Sequence, residues 1–463
     1  MPPTFDLWLA GSVSADVAAA SRADPAGLAA RQRRRLTDLL AAAARGSSLY
    51  RRILAGRDPA AVSLVDLPVM RKPDLMRQFE GWVTDPELKL DELRRFVADP
   101  PLIGEPFLDR YVVWESSGSS GEPGVFVQDA PAMAVYDALE ALRRPMLQPL
   151  ERWLDPWLLG ERIVFVGAIE GHFASIVSIE RLRRLNPAMS ACIHSVSFLQ
   201  PTDTLVMQLQ TLRPTIISTY PSAALLLAGE RLAGRLDVSP REVWTGGEEL
   251  SPAARRAIEQ GLGCPVANSY GASEFLSLAS ECDRGRLHLN SDWAILEAVD
   301  EGDNGLPAGI AGATTLLTNL ANHLQPLIRY DLGDRVAVGG SNCLCGSHLP
   351  VIEVQGRSDD TLAFTPPGGC TVQVLPLALS TVLEEEAGLF DFQVSQQGPC
   401  ELRLTTSMRG KDAAGALRRA SSLLNAFLGR QGAPGVRVRC RSGVKVHPGR
   451  SGKVKRILAQ GSS

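Results

Sequence analysis

Apolar positions recur at helical spacing through residues 15–45, a stretch rich in Ala, Arg and Leu, and predict N-terminal helices. Residues 68–79 read as a loop entering another short helix. From Tyr111 the character changes. Residues 111–114 are a β-type run, residues 115–124 (ESSGSSGEPG) are turn chemistry, and residues 125–128 resume a strand. Short apolar runs at 162–166 and 215–219 predict buried strands. Residues 222–232 and 252–262 predict helices, and short strands are expected at 242–245 and 265–268. This alternation predicts an α/β fold whose large N-terminal domain, residues 1–355, holds mixed and parallel sheets with helices. Strand and turn signals crowd residues 293–338, so a β-rich subdomain is expected over about 285–355. A boundary falls near Gly356. Residues 356–463 then read as a small, mobile α+β domain with a strand at 401–405, a helix at 411–428 and a basic tail.

Composition narrows the class. Of 463 residues 45% are apolar and 21% charged, and 48 Lys plus Arg against 51 Asp plus Glu give a net charge of −3. That is a globular balance, and it argues against wholesale binding to nucleic acid or a membrane surface. No apolar run reaches bilayer length. The N-terminus lacks a basic region and carries Asp6 early, which argues against a secretory leader. Together with eight scattered cysteines this favours a reducing cytoplasm, where clustered cysteines more often hold metal than form disulfides.

Several segments carry chemistry. In Ser116–Gly124, glycines let a backbone approach a phosphate and successive N–H groups can cradle an anion; a flexible surface loop is the competing reading. In Asn268–Glu274 (NSYGASE), preceded by TGGEEL, Tyr270 beside Gly271 can lie against a planar base, and Glu274 can hold a magnesium ion on phosphate oxygens. Core packing is the competing reading for Tyr270. Asp334, after the glycine turn of IRYDLGDR, can accept hydrogen bonds from two ribose hydroxyls, or be a solvated turn residue. GRSDD (356–360) and GRSGKVKR (449–456) follow. In the latter, the ammonium of Lys453 can neutralise charge developing on a phosphate. Nine Lys or Arg and no Asp or Glu lie between Arg430 and Ser463, so a solvated basic tail or RNA contact is the alternative there. Finally, Cys282 with His288, and Cys343 with Cys345, supply the four N/S ligands of a closed tetrahedral zinc site, with His348 as an alternative ligand. Unrelated core thiols and a surface histidine are the competing reading. Cys192, Cys264, Cys370, Cys400 and Cys440 have no partner pattern and read as small apolar fillers.

The order of these motifs resembles the adenylate-forming superfamily of acyl-CoA synthetases, adenylation domains and luciferases, and within it the phenylacetate–CoA ligase-like branch and its adenylate-forming subgroup. The resemblance spans roughly residues 30–458. It implies that Ser116, Ser117, Gly118, Ser119, Ser120 and Gly121 cover the β- and γ-phosphates of ATP. Gly246, Gly247 and Glu248 would line the adenine pocket with Ser269, Tyr270 and Gly271. Ser273 would contact the α-phosphate, Glu274 the Mg²⁺, and Asp334 the ribose, supported by Arg357. Asp359 would be the hinge and Lys453 the adenylation lysine. His172, Tyr220, Trp244 and Phe275 are the candidates for the acyl pocket. Members of the branch often carry a similar Cys/His set, which favours structural zinc.

The chain departs from the pattern at three places. Glu122 stands where many relatives have Lys, Ser273 replaces the commoner Thr, and residues 362–378 differ from the post-hinge pattern of CoA ligases. The expected activity is ATP-dependent activation of a small, aromatic carboxylic acid to acyl-AMP, then transfer to CoA. One alternative keeps adenylation but passes the acyl group to an amine or a carrier-protein thiol. Another, from a different class, is a non-catalytic nucleotide- or RNA-binding protein. No membrane or nucleic-acid partner is expected, and a homodimer is left open.

Overall fold

The computed structural model describes residues 5–116, 123–145, 147, 160–198, 200–357, 362–365, 371–374, 379–380, 382–445 and 456–459. The helices expected near the N-terminus are Leu7–Ala20 and Pro25–Gly46. The second opens on Asp24, whose carboxylate accepts from the Gly27 N–H, with proline in the first turn where no N–H is needed. A two-stranded hairpin follows, β1 (Val112–Glu115) with β2 (Val125–Gln128), both wholly buried.

Among the described residues the central sheet has nine strands. β3 (Ile163–Gly167), β4 (Ile193–Ser197), β5 (Ile216–Thr219), β6 (Glu242–Thr245) and β7 (Val266–Ala272) run parallel, in the order β4-β3-β5-β6-β7. Both faces of this part are covered. Val164, Val166, Ile217, Val243 and Val266 pack on one side; Ile163, Ile216, Trp244 and Ala267 pack on the other. A parallel sheet needs that double cover, because its crossover helices lie on both faces.

The sheet continues antiparallel through β8 (Phe275–Glu281), β9 (Leu287–Leu289), then β14 and β13. β10 (Ala294–Val299), β11 (Thr314–Asn319) and β12 (Tyr330–Asp331) form a separate three-stranded sheet. β13 (Asp334–Val338) and β14 (Val351–Arg357) return to the central one. The strands of the β-rich stretch are therefore divided between two sheets.

The C-terminal segment has its own core, drawn only from residues between Leu362 and Ile457. It comprises β15 (Leu362–Phe364), β16 (Val372–Val374), β17 (Gln393–Gly398), β18 (Glu401–Thr405), the helix Gly410–Arg430, β19 (Arg437–Arg441) and β20 (Ile457–Leu458). Four of these strands form a mixed sheet in the order β19-β18-β17-β20. Cys192 and Cys264 are buried fillers as expected, but Cys440 is exposed and Cys400 half-buried; Cys370 lies outside the described residues. No described helix is long and apolar enough to cross a membrane.

Candidate active site

The chain passes from β3 outward to β4 and then returns to β5 on the other side of β3. In open α/β sheets such a reversal opens a crevice at the C-terminal strand ends, where ligands bind. Gly167, Tyr220 and Gly246 directly follow or end these strands. At the base of the Ser/Gly loop, the Ser116 N–H donates to the Gly124 carbonyl and the Gly124 N–H to Ser116 Oγ, both at 2.8 Å. The hairpin thus closes where expected; Ser117, Gly118, Ser119, Ser120, Gly121 and Glu122 lie outside the described residues.

Three of the other motifs meet. The Tyr270 hydroxyl donates to Asp334 Oδ2 at 2.6 Å, although 64 positions separate them. Asp334 in turn pairs across β13–β14 with the backbone of Arg357, whose side chain lies outside the described positions. Gly246 stands against Ser269, where an added Cβ would come 2.9 Å from Ser269 Oγ. The turn between β7 and β8 carries Ser273 and Glu274, and Gly271 is what lets it close: a Cβ there would lie 1.8 Å from the Leu276 carbonyl oxygen.

That turn is pinned from two distant strands. Trp114 Nε1 on β1 donates to the Ser273 carbonyl at 2.8 Å, and Asn319 Nδ2 on β11 donates to the Glu274 carbonyl at 2.9 Å. The Glu274 carboxylate accepts from the Tyr330 hydroxyl at 2.8 Å. Trp114 lies two residues before Ser116, so Ser273 and Glu274 are held beside the root of the Ser/Gly loop.

Sequence reasoning missed Trp114, Asn319 and Tyr330. One signal was present in Asn319, Asn322 and Gln325, three amides spaced by three. All are nearly fully buried, and Asn322 and Gln325 bond the backbone of β2 in place of a neighbouring strand. Buried amides must be paired in this way, so their spacing marks a fixed segment rather than a loop. The half-buried Glu248 also ties this loop to a helix: its carboxylate accepts from the N–H and hydroxyl of Ser222, in the first turn of Pro221–Leu232.

The acyl-pocket candidates separate. Tyr220 is buried among Phe165 and Phe198, ring centroids 6.5 and 5.9 Å away. Burial pushes its phenol up to about 12, and the nearby Ser175 hydroxyl offsets part of that. Trp244 faces the same side of the sheet as Ile163 and Ile216; its Nε1 donates to Glu242 at 2.8 Å, and Arg144 stacks on its ring. His172 is 1% exposed against Phe96, and neither ring nitrogen finds a well-formed hydrogen bond among the described residues. Burial holds its pKa below the usual imidazole range, partly offset by backbone groups at Leu102 and Val97. Phe275 corrects the expectation. It points from β8 into the main core, fully buried and edge-on to Tyr136 at 5.0 Å, so it packs rather than lining a pocket.

The Cys/His set is assembled. The ligand atoms of Cys282, His288, Cys343 and Cys345 all lie within 4.8 Å of one another. Cys282 Sγ and Cys343 Sγ are 3.9 Å apart, and Cys345 Sγ is 3.4 Å from His288 Nε2. Zinc bonds of about 2.3 Å to sulfur and about 2.0 Å to nitrogen give tetrahedral edges of about 3.8 and 3.5 Å, so the donors fit one ion. His288 Nδ1 bonds the Leu349 carbonyl at 2.8 Å, which turns Nε2 toward the sulfurs. Gly346, with φ 82°, closes the turn after Cys345. The Cys345 N–H, followed by lesser hydrogen bonds, pulls the Cys343 thiol down to about 7.

Lys453 and Asp359 lie outside the described residues. No protein-family model matches the chain. Over 195 residues it is 35% identical to a phenylacetate–coenzyme A ligase of Thermus thermophilus, covering 39% of this chain and 42% of that one. Over 178 residues it is 31% identical to a phenylacetate–coenzyme A ligase of Pseudomonas putida, covering 35% and 38%. The similarity thus spans about two fifths of these relatives. Among solved structures, 2-hydroxyisobutyryl-CoA ligase in its postadenylation state superposes with a TM-score of 0.66 at 19% identity, covering 93% of this chain and 89% of that one. An anthranilate CoA ligase bound to anthranoyl-AMP gives 0.52 at 16% identity, covering 74% and 65%. The chain has the α/β fold of the acyl-CoA ligases, and the resemblance read from its motifs and these likenesses agree.

Proposed function

We propose that the chain is an ATP-dependent acid–thiol ligase. It activates a small, aromatic carboxylic acid as its acyl-adenylate, releases pyrophosphate and passes the acyl group to coenzyme A. The observation that carries this is the meeting of separated motifs: Tyr270 on Asp334, Asp334 opposite Arg357, and the Ser273–Glu274 turn tied by Trp114 to the root of the Ser/Gly loop. The similarity to two phenylacetate–coenzyme A ligases supports the substrate class.

In this reading a carboxylate oxygen attacks the α-phosphorus in line, and the bond to the β-phosphate oxygen breaks as pyrophosphate leaves. Two anions must approach, so the chain's task is positioning and charge neutralisation. The Ser116–Gly121 loop would hold the β- and γ-phosphates. Gly246, Gly247, Ser269, Tyr270 and Gly271 would hold the base, with Glu248 acting from the loop it ties to Ser222. Asp334, aimed by Tyr270, would take the ribose hydroxyls beside Arg357. Ser273 would contact the α-phosphate. Glu274 is an oxygen donor oriented by Tyr330, which suits Mg²⁺; when bound, the ion would neutralise charge on the phosphate oxygens. Lys453 would do the same from the tail, and the segment after Gly356 would turn about Asp359 to exclude water. Tyr220 and Trp244, with His172 held neutral, would shape the acid's side of the crevice. The Cys282–His288–Cys343–Cys345 set would hold structural zinc between β8–β9 and the 343–345 turn, in a cytoplasmic setting that keeps its thiols reduced.

The test is ATP–pyrophosphate exchange with phenylacetate and benzoate as probes. Lys453→Ala is expected to lose most exchange while still binding ATP; unchanged exchange removes Lys453 from the reaction. AMP formation without acyl-CoA when CoA is supplied would assign another acceptor.

A further inference from the structure

The loop that begins at Gly246 beside the base-binding segment ends at Ser251, and Ser251 touches the C-terminal segment. Its hydroxyl accepts from the Ala254 N–H, capping the helix Pro252–Leu262, and donates to Glu384. The other Glu384 oxygen takes the guanidinium of Arg456, which leads into β20 and stacks on Phe392. Ser251 and Glu384 are 4% and 3% exposed. Arg456 is fixed further, because its carbonyl accepts from the Val394 N–H at 2.7 Å. Arg456 comes three positions after Lys453 in the sequence.

Resting on the adenylation reading, we propose that Ser251, Glu384 and Arg456 are positioning residues: they latch the C-terminal segment onto the nucleotide-binding loop and hold the tail for acid activation, and Glu249 opposes the latch when ionised. The carboxylate bridges the start of the helix Pro252–Leu262 and the C-terminal segment. A buried carboxylate that loses its cation or its hydroxyl is left uncompensated, so the contact favours one arrangement of the segment over others. Glu249 has a shielded Oε1 with no hydrogen-bond partner among the described residues, and the charged groups acting on it are Glu384 and Arg456. Burial, then the Glu384 charge, raise it from 4.5 to about 7, against a smaller opposing pull from Arg456. The latched state therefore binds this proton more tightly than an open one would. The part that Glu249 contributes is therefore full below pH 4.5, where it is protonated in both states, falls as pH rises to about 7, and then levels off.

The experiment separates the two half-reactions: ATP–pyrophosphate exchange with phenylacetate, and acyl transfer from preformed phenylacetyl-AMP to CoA. Glu384→Gln and Arg456→Met are expected to slow exchange about tenfold or more while transfer stays within about twofold. Ser251→Thr, which keeps the hydroxyl, should retain exchange, and Ser251→Ala should not. Glu249→Gln should flatten the fall in exchange relative to transfer between pH 4.5 and 7. Small-angle scattering of the same proteins needs no turnover: the radius of gyration should rise in Arg456→Met and Glu384→Gln. If wild type exchanges nothing with either probe, the adenylation reading fails while scattering still decides the latch. Unchanged exchange and scattering in both variants would overturn the latch, and so would equal loss of both half-reactions with a lowered melting temperature.

Discussion

Gly271→Ala tests the geometry of the site most directly. The new Cβ would stand 1.8 Å from the Leu276 carbonyl oxygen, which is backbone and cannot rotate away. Carbon and oxygen tolerate about 3.3 Å, so β7 and β8 must part by about 1.5 Å. Those strands are already bulged between Tyr270 and Ala272, and their turn carries Ser273 and Glu274. Overpacking of this kind costs about 1–3 kcal/mol, and a shift of about 1 Å in a positioned group can cost on the order of 100-fold in rate. We expect a melting temperature lowered by several degrees and pyrophosphate exchange lowered by about two orders of magnitude. Gly229→Ala is the control. It lies in the helix Pro221–Leu232 with nothing within 4 Å of an added Cβ, and should gain up to about 1 kcal/mol. A Gly271→Ala protein indistinguishable from wild type in melting and exchange would refute the claim that this close approach sets the site.

Two further outcomes follow. Tyr330→Phe removes the hydroxyl that orients Glu274 and should raise the Mg²⁺ concentration for half-maximal exchange several-fold; an unchanged magnesium titration would place the metal elsewhere. Metal analysis of the purified protein should find about one zinc per chain, and His288→Ala or strong chelation should release it and lower the melting temperature by several degrees. A zinc-free protein that melts as the wild type would reduce the Cys/His set to packing.

Much of this was readable before any fold. Chemistry at a position is set by residue type, so a Ser/Gly loop between β-runs, a glycine beside Tyr270 and four N/S donors declared what each could do. Alternation of apolar runs fixed the class of sheet, because strand and helix periods differ. Facing direction was less legible. Phe275 was a pocket candidate as an aromatic, but β8 is buried almost throughout and presents Phe275 to Tyr136 and the main core. That Glu248 also accepts from Ser222, 26 positions earlier, was not legible in its motif.

The chain by itself determined the inventory: which groups can donate, accept, ionise or bind metal, and in what order they come. Only the tertiary structure decided who meets whom. Trp114 reaches Ser273 across 159 positions, Ser251 reaches Glu384 across 133, and Tyr270 reaches Asp334 across 64. The entropy of closing a loop grows only slowly with its length, so separation along the chain scarcely ranks such partners. The choice among them falls to the collective packing of the cores and to the pairing of buried polar groups, quantities that no local stretch of sequence contains.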